Sequence, residues 1–112
     1  MDRVSRSEVE SAEPIDGVQL ALLAAGEHMN IQQFRIEPGA VVPEHSHQNE
    51  QLGYLLRGEL TFTVKGDEIV VQAGDSYNLQ GNEPHAIENT GERVAEGIDI
   101  FSPPRTDPDW AE

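Results

Sequence analysis

Three histidines and one glutamine are the residues of this sequence best suited to bind a metal ion. His45, His47 and Gln51 occupy odd-numbered positions of a stretch predicted to be extended, and residues of one parity share a face of a strand. Two imidazoles and an amide oxygen on one face can converge on a single ion that keeps open coordination positions. His85 begins a second β-rich segment and supplies a further imidazole. A histidine pair on a strand is equally compatible with polar surface, so the spacing alone leaves both interpretations open.

The composition of the chain limits which metal ligands and which partners are possible. It has 112 residues and no cysteine, so a metal must be held by imidazole and oxygen donors. Its 21 acidic residues against 7 basic ones give a formal net charge of −14, which argues against nucleic acid as a partner. We expect a solvated acidic surface of the halophilic kind, in which salt screens self-repulsion, rather than an acidic functional patch. Nothing resembles a signal peptide or a membrane span, so we expect a soluble cytoplasmic protein with no membrane partner.

Short β-rich segments separated by turn residues predict an all-β fold. Gly, Pro, Asn and Asp mark the breaks, and no stretch shows sustained helical periodicity. About seven strands at spacings of about 8–12 residues indicate a sandwich or barrel. The predicted strands are 18–25, 29–36, 51–56, 59–65, 68–72, 85–88 and 93–101.

The chain is long enough for a single domain, which we predict over residues 15–105. Residues 1–14 are polar and acidic with little to bury, so we predict a flexible amino-terminal tail. Residues 106–112 are predicted to form a carboxy-terminal tail, since the prolines around them cannot donate to a central strand.

The spacing of the candidate ligands resembles the first motif of the cupin superfamily. That motif runs Gly, five residues, His-x-His, three or four residues, Glu, six residues, Gly. Gly39, His45, His47, Gln51 and Gly58 match it at every spacing, with Gln in place of Glu.

The second cupin motif is met by Gly74, His85 and Asn89, while Gln80 and Asn82 replace its Pro and Gly. Asn tolerates the left-handed conformation that Gly usually supplies. The resemblance covers about residues 18–105 and implies an all-β jelly-roll barrel.

The resemblance also implies one divalent transition metal bound by His45, His47, Gln51 and His85. Nickel, zinc, iron, manganese and cobalt all suit three imidazoles and an amide oxygen. Glu50 is the alternative carboxylate ligand, but its even parity points it to the opposite face unless a bulge intervenes.

Among cupins, the sequence resembles most the small pectin- and alginate-degradation cupins that convert ring-form 4,5-unsaturated uronates into linear keto forms. Their Asp-x-Phe-x-x-x-Arg signature is met by Asp99, Phe101 and Arg105. The resemblance implies that the Asp moves a proton, the Phe packs on the sugar and the Arg binds the uronate carboxylate. Parity agrees, because Asp99 and Phe101 share a strand face and Arg105 follows the strand.

Structural roles for these residues remain open as alternatives. Asp99 could pair with Arg105 or Arg57 at the barrel rim, and Phe101 could be plain core. Tyr54 and Tyr77 are expected to be barrel or interface aromatics, with the alternative that either hydroxyl reaches the pocket. His28 is expected to be a loop residue beside the turn at Gly26.

The predicted function is thus a sugar-acid isomerase acting on a small anionic substrate. One alternative is a metal-dependent oxygenase or another cupin isomerase, because a fold does not fix a function. The other is a non-catalytic cupin that binds a sugar acid or a metal. Since small cupins resemble one another in pairing, the resemblance also implies a homodimer.

Overall fold

The computed structural model describes residues 1–106, and within them ten strands form two antiparallel sheets. A short 3-10 helix, Arg6–Glu8, precedes the strands. The strands are β1 (Ala12–Ile15), β2 (Val18–Ala25), β3 (Asn30–Ile36), β4 (Val41–His45), β5 (Glu50–Arg57), β6 (Glu59–Val64), β7 (Asp67–Gln72), β8 (Ser76–Leu79), β9 (His85–Glu88) and β10 (Ala95–Ser102).

The two sheets face each other and enclose one core. The larger sheet has the order β1-β2-β3-β10-β5-β8, and the smaller has the order β4-β9-β6-β7. The predicted all-β jelly-roll barrel is confirmed. No helix within residues 1–106 is long and apolar enough to cross a membrane. The buried apolar core consists of Val18, Phe34, Ile36, Leu55, Leu60, Phe62, Val71, Leu79 and Ala95.

The central strands of the larger sheet alternate between buried and more exposed residues, which is why their positions could be predicted from the sequence. Along β10 every second residue from Ala95 to Phe101 is buried, and the same alternation runs through β3 and most of β5. A period of two places one set of side chains in the barrel and the other outside it. The predicted strand 18–25 coincides with β2.

Three strands lack a predictive pattern, namely β1, β4 and β8. Each has only four or five residues, and β1 and β4 contain Pro14 and Pro43. Pro14 is tolerated because β1 is an edge strand that pairs only with β2. The sheet therefore begins at Ala12, so the last residues of the predicted tail 1–14 belong to the barrel. Most of the predicted tail 106–112 lies outside the described residues.

Two asparagines of the second motif fix the chain around β9. Asn82 has φ 64°, the left-handed conformation expected where the motif has Gly, and its N–H donates to the carbonyl of His47 at 2.7 Å. Asn89 is buried, and its Nδ2 donates to the carbonyls of Ile36 at 2.9 Å and Arg93 at 2.8 Å. These bonds tie the segments that carry the histidines to the larger sheet.

Candidate metal centre

The four predicted ligands come together at one end of the barrel. His45 ends β4 and is paired with His85, the first residue of β9. The nitrogen atoms that His45, His47 and His85 offer lie within 4.8 Å of one another. Gln51 lies on β5, with its Oε1 at 3.1 Å from His47 Nε2. Parity suggested that His45, His47 and Gln51 share one extended strand. They do not, because β4 ends at His45 and a bend precedes β5.

Each of the three imidazoles is oriented by a backbone carbonyl two residues away in the chain. A carbonyl oxygen only accepts, so Nδ1 carries the ring proton and Nε2 keeps its lone pair for a ligand. The Nδ1 to oxygen distances are 3.0 Å from His45 to Pro43, 3.0 Å from His47 to Asn49 and 2.8 Å from His85 to Glu83.

The remaining polar atoms fit a cation. A neutral His47 with its proton on Nδ1 presents Nε2 as an acceptor, and Gln51 Oε1 at 3.1 Å is a second acceptor. Two ligands at adjacent corners of an octahedron, each about 2.1 Å from a metal, lie about 3 Å apart. His85 Nε2 is buried and, in the part of the chain that the structure describes, has no hydrogen-bond partner. An ion between these atoms would satisfy all three.

The protonation states of the histidines also suit ligation. Burial lowers the pKa of His85 to about 4. Burial, followed by the charge of Arg105, also holds the pKa of His47 below its ordinary value. Both rings are therefore neutral at pH 7, as metal ligation requires.

Asp99 lies next to these ligands, in the interior of β10. Its burial raises the carboxyl pKa to about 6, against hydrogen bonds from Tyr77 and Gln51 and the charge of Arg105, which lower it. The Tyr77 hydroxyl donates to Asp99 Oδ1 at 2.5 Å. The alternative that Asp99 pairs with Arg57 is wrong. Arg57 instead forms an ion pair with Glu96 at 3.2 Å.

The carboxamide of Gln51 has a definite orientation because it has two different neighbours. Its hydrogen bond lowers the pKa of Asp99, so its nitrogen donates to that carboxylate. Its oxygen is then the atom that faces His47. A glutamate at this position would lack the donor and would place a second negative charge beside Asp99.

Tyr77 reaches the site by crossing a neighbouring strand. In the sheet register Tyr77 on β8 lies opposite Gly53 on β5, which lies opposite Asp99 on β10. A Cβ added to Gly53 would overlap the Tyr77 ring. Tyr77 is thus a barrel aromatic whose hydroxyl also reaches the cavity, which was the alternative for it. Tyr54 lies on the outside, with 42% of its surface exposed.

Phe101 lies beside His47, and Arg105 lies beside Phe101. The Phe101 ring is buried and packs edge-on against His47, with centroids 5.5 Å apart. The Arg105 guanidinium lies 5.5 Å from the centre of the Phe101 ring. Phe101 thus contacts both a predicted metal ligand and the cation at the mouth.

Two asparagines hold the segment that carries Arg105. Asn30 Oδ1 accepts a hydrogen bond from the Arg105 backbone N–H at 2.6 Å, and Asn49 Nδ2 donates to the carbonyl of Pro103 at 2.6 Å. Both side chains are buried. Neither residue was predicted from the sequence, although the parity that Asn30 shares with buried Phe34 would have placed Asn30 inside the barrel.

The other histidine and the alternative carboxylate lie apart from this centre. Glu50 is exposed on β5, as its even parity predicts. His28 lies in the loop between β2 and β3, where its carbonyl accepts from Ser102 Oγ at 2.7 Å. The expectation of a loop residue at His28 is confirmed.

A cavity of about 320 Å³ opens onto the site. Its polar part includes Gln32, Asp99 and Arg105, and its deeper apolar part includes Phe34 and Phe62. This volume is at the lower end of the range for pockets that hold small molecules.

Comparisons with known proteins agree with this architecture. The oxalate-binding protein of Thermotoga maritima is 34% identical over 90 residues, which cover 75% of this chain and 74% of that protein. The pectin degradation protein KdgF of Dickeya dadantii is 26% identical, over 82% of this chain and 84% of that protein. The structure of KdgF from Halomonas sp. superposes with a TM-score of 0.86 at 23% identity, covering 96% and 97% of the two chains.

Longer curated proteins match about 60% of this chain, which spans 28% to 37% of their length. The sequence pattern of the cupin domain matches residues 32–101, which is more than half of the chain and includes all four predicted ligands. The chain therefore belongs to the cupin family.

Proposed function

We propose that the protein is a metal-dependent cupin isomerase that converts cyclic 4,5-unsaturated uronates into linear keto acids. One observation carries the proposal: the Gln51 carboxamide contacts both His47 and Asp99, so the candidate proton carrier adjoins the candidate metal ligands. The similarity to the pectin degradation protein of Dickeya dadantii supports a sugar-acid substrate.

His45, His47, His85 and Gln51 would hold one divalent metal ion. A metal bound there supplies a Lewis acid that polarises a substrate oxygen. Because its fourth ligand is a neutral amide rather than a carboxylate, the site carries one negative charge less, which favours Lewis-acid chemistry over high oxidation states.

The reaction is an isomerisation, so no atom is gained or lost. The proton of the anomeric hydroxyl leaves as the bond between C1 and the ring oxygen breaks and C1 becomes an aldehyde. A proton is added at C4 while the enol at C5 becomes a ketone. Asp99 is the group that takes the proton from oxygen and returns it to carbon. Tyr77 and Gln51 hold its carboxylate by hydrogen bonds during both steps.

Arg105 and Phe101 orient the substrate. A guanidinium presents a fork of donors that matches the uronate carboxylate. Phe101 offers an apolar surface for the sugar skeleton, next to His47. Fixing the carboxylate at the mouth would direct the ring toward Asp99 and the histidines, and such positioning lowers the barrier by reducing the entropy cost of the reaction.

The test is to follow the ultraviolet absorbance of a 4,5-unsaturated monouronate with the metal-loaded protein. We expect the absorbance of the conjugated double bond to fall faster than in the protein-free reaction. No acceleration with any of the five candidate metals would refute the isomerase and leave the cupin fold intact.

Asp99→Asn identifies the proton carrier. We expect this variant to lose turnover by at least about 100-fold, since general acid–base catalysis contributes roughly that much, while its metal content stays at the wild-type level. Asp67→Asn removes an exposed carboxylate at the first residue of β7 and is the matched control. Unchanged turnover in Asp99→Asn would exclude Asp99 as the carrier.

A second candidate function is non-catalytic binding of a small organic acid. The oxalate-binding protein of Thermotoga maritima, at 34% identity over most of both chains, favours this alternative. Calorimetric titration with oxalate distinguishes the two functions, because tight oxalate binding without uronate turnover would support the binding protein.

The homodimer implied by the family resemblance stays a prediction. The outer face of β5 exposes Leu52, Tyr54 and Leu56 by 49%, 42% and 55%. Pairing would bury this apolar surface, which is unusual on a chain so rich in acidic residues. Sedimentation equilibrium measures the subunit count, and a monomer at all concentrations would contradict the prediction.

A further inference from the structure

Gln32 is a buried amide that the proposed reaction does not use. It lies on β3 with only 3% of its surface exposed, and it lines the cavity that contains Asp99 and Arg105. Its Oε1 is buried and has no hydrogen-bond partner among residues 1–106. An unpaired buried acceptor destabilises a fold by about 1–3 kcal/mol, so an apolar residue here would serve stability better.

The neighbouring glutamine on the same strand shows the contrast. Gln33 points to the outer face, where its Oε1 accepts from Arg6 Nε at 2.7 Å and its Nε2 donates to Glu96 Oε1 at 2.7 Å. Its amide is thus paired on both sides, whereas the acceptor of Gln32 is not. The difference lies in the cavity that only Gln32 faces.

The sheet register places Gln32 beside the reacting groups. Gln32 pairs directly with Asp99 across β3 and β10, and the Cβ atoms of such a pair lie about 4.5–5.5 Å apart. Tyr77 reaches Asp99 from the β8 side, across Gly53. Gln32 lies on the β3 side of Asp99 and lines the same cavity as Arg105.

We propose that Gln32 is a substrate-binding residue whose Oε1 accepts a hydrogen bond from a hydroxyl group of the bound sugar acid. This inference rests on the proposed function and deepens it, because it makes the site selective for hydroxylated acids over small acids that lack a hydroxyl group. A site built around an unpaired acceptor rejects a ligand that cannot donate to it.

The experiment compares Gln32→Leu with Gln33→Leu in the full-length, metal-loaded protein. We expect Gln32→Leu to raise KM for the unsaturated uronate about tenfold, the loss expected for one hydrogen bond. Its thermal midpoint should stay equal or rise, because the unpaired acceptor is removed. Gln33→Leu should instead lower the thermal midpoint, because it removes two paired hydrogen bonds, and should leave KM unchanged. A Gln32→Leu variant with wild-type KM and a lower midpoint would show a purely structural residue and overturn the inference.

A binding probe separates failure of this inference from failure of the proposed function. Galacturonate is a saturated sugar acid that lacks the double bond needed for the reaction, so its affinity reports binding without turnover. We expect Gln32→Leu to weaken galacturonate binding about tenfold. If the wild type leaves the unsaturated uronate unchanged, the isomerase fails, and the galacturonate affinities decide alone whether Gln32 binds a sugar hydroxyl. Equal galacturonate affinities of wild type and Gln32→Leu overturn the inference in either case.

Analogues of galacturonate that lack one hydroxyl at a time identify the bonded group. The analogue without that hydroxyl should bind the wild type about tenfold more weakly than galacturonate, yet bind Gln32→Leu with the same affinity as galacturonate. Such non-additivity is the signature of a direct contact. Additive losses for every analogue would exclude the contact.

Discussion

The hydroxyl of Tyr77 donates a 2.5 Å hydrogen bond to the carboxylate of Asp99, although the two residues lie on strands separated by a third. Gly53 on the intervening strand β5 makes this possible, because it has no side chain beneath the phenol ring. The Asp99 carboxylate is therefore held from one side by Tyr77 and from another by Gln51. Its geometry depends on a glycine that is not itself one of the predicted site residues.

Gly53→Ala tests this crossing. The new methyl group would overlap the Tyr77 ring, and we expect the free energy of unfolding to fall by about 1–3 kcal/mol, as for other overpacked cores. Adding Tyr77→Leu should recover part of this loss, because the smaller side chain leaves room for the methyl group. Urea unfolding measures both effects. Gly26→Ala is the matched control, since its nearest neighbour would be the Met29 carbonyl at 3.6 Å. Fully additive losses would contradict the contact.

The ionisation of Tyr77 gives a pH prediction. Burial, followed by the charge of Asp99, raises its pKa well above 10. The unfolded chain loses this proton near pH 10 while the folded chain keeps it. The ionisation of Tyr77 therefore leaves the free energy of unfolding unchanged below pH 10, and lowers it as the pH rises above 10.

The measurement uses Tyr54→Phe, which leaves Tyr77 as the single tyrosine of the chain. Phenolate absorbance should stay absent at pH 10 and appear only at higher pH or together with unfolding. Half-ionisation at pH 10 in the folded variant would contradict the buried hydrogen bond between Tyr77 and Asp99.

Gln51→Glu tests why an amide occupies the fourth ligand position. Glutamate keeps an oxygen for the metal, so we expect metal content to be retained. It loses the donor to Asp99 and adds a like charge beside it, so we expect turnover to fall about 10- to 100-fold, the loss of a hydrogen bond to a charged group. Gln48→Glu adds the same charge at an exposed position nearby and should leave turnover nearly unchanged. Equal turnover in Gln51→Glu and the wild type would refute the role of the amide.

The sequence predicted most of the barrel because its central strands alternate between the core and the outside. It also predicted that His45, His47, Gln51 and His85 belong to one site, since the two motif segments place them at fixed spacings, and the structure brings these side chains together. That they bind a metal stays a prediction. It could not predict that Tyr77 reaches Asp99, because this contact depends on the order of β8, β5 and β10 in the sheet.

Asn30 and Gln32 were missed for a related reason. A polar residue in a β-rich segment suggests an exposed position, and the parity shared with Phe34 is the one signal that these amides lie on the buried inner face of β3. The short strands β1 and β4 were missed because proline interrupts them. Most of the features that were not predicted thus depend on contacts between strands, which a local sequence pattern does not contain.

The metal centre is the central claim, and X-ray absorption spectroscopy of the nickel-loaded protein tests it most directly. We predict one metal ion per chain, a first shell of nitrogen and oxygen at about 2.1 Å, and outer-shell scattering from three imidazole rings. His85→Ala should lose one ring from that scattering and bind the metal more weakly, because His85 Nε2 is buried and has no other partner within the described residues. A first shell without imidazole scattering, or a spectrum that His85→Ala leaves unchanged, would contradict the account.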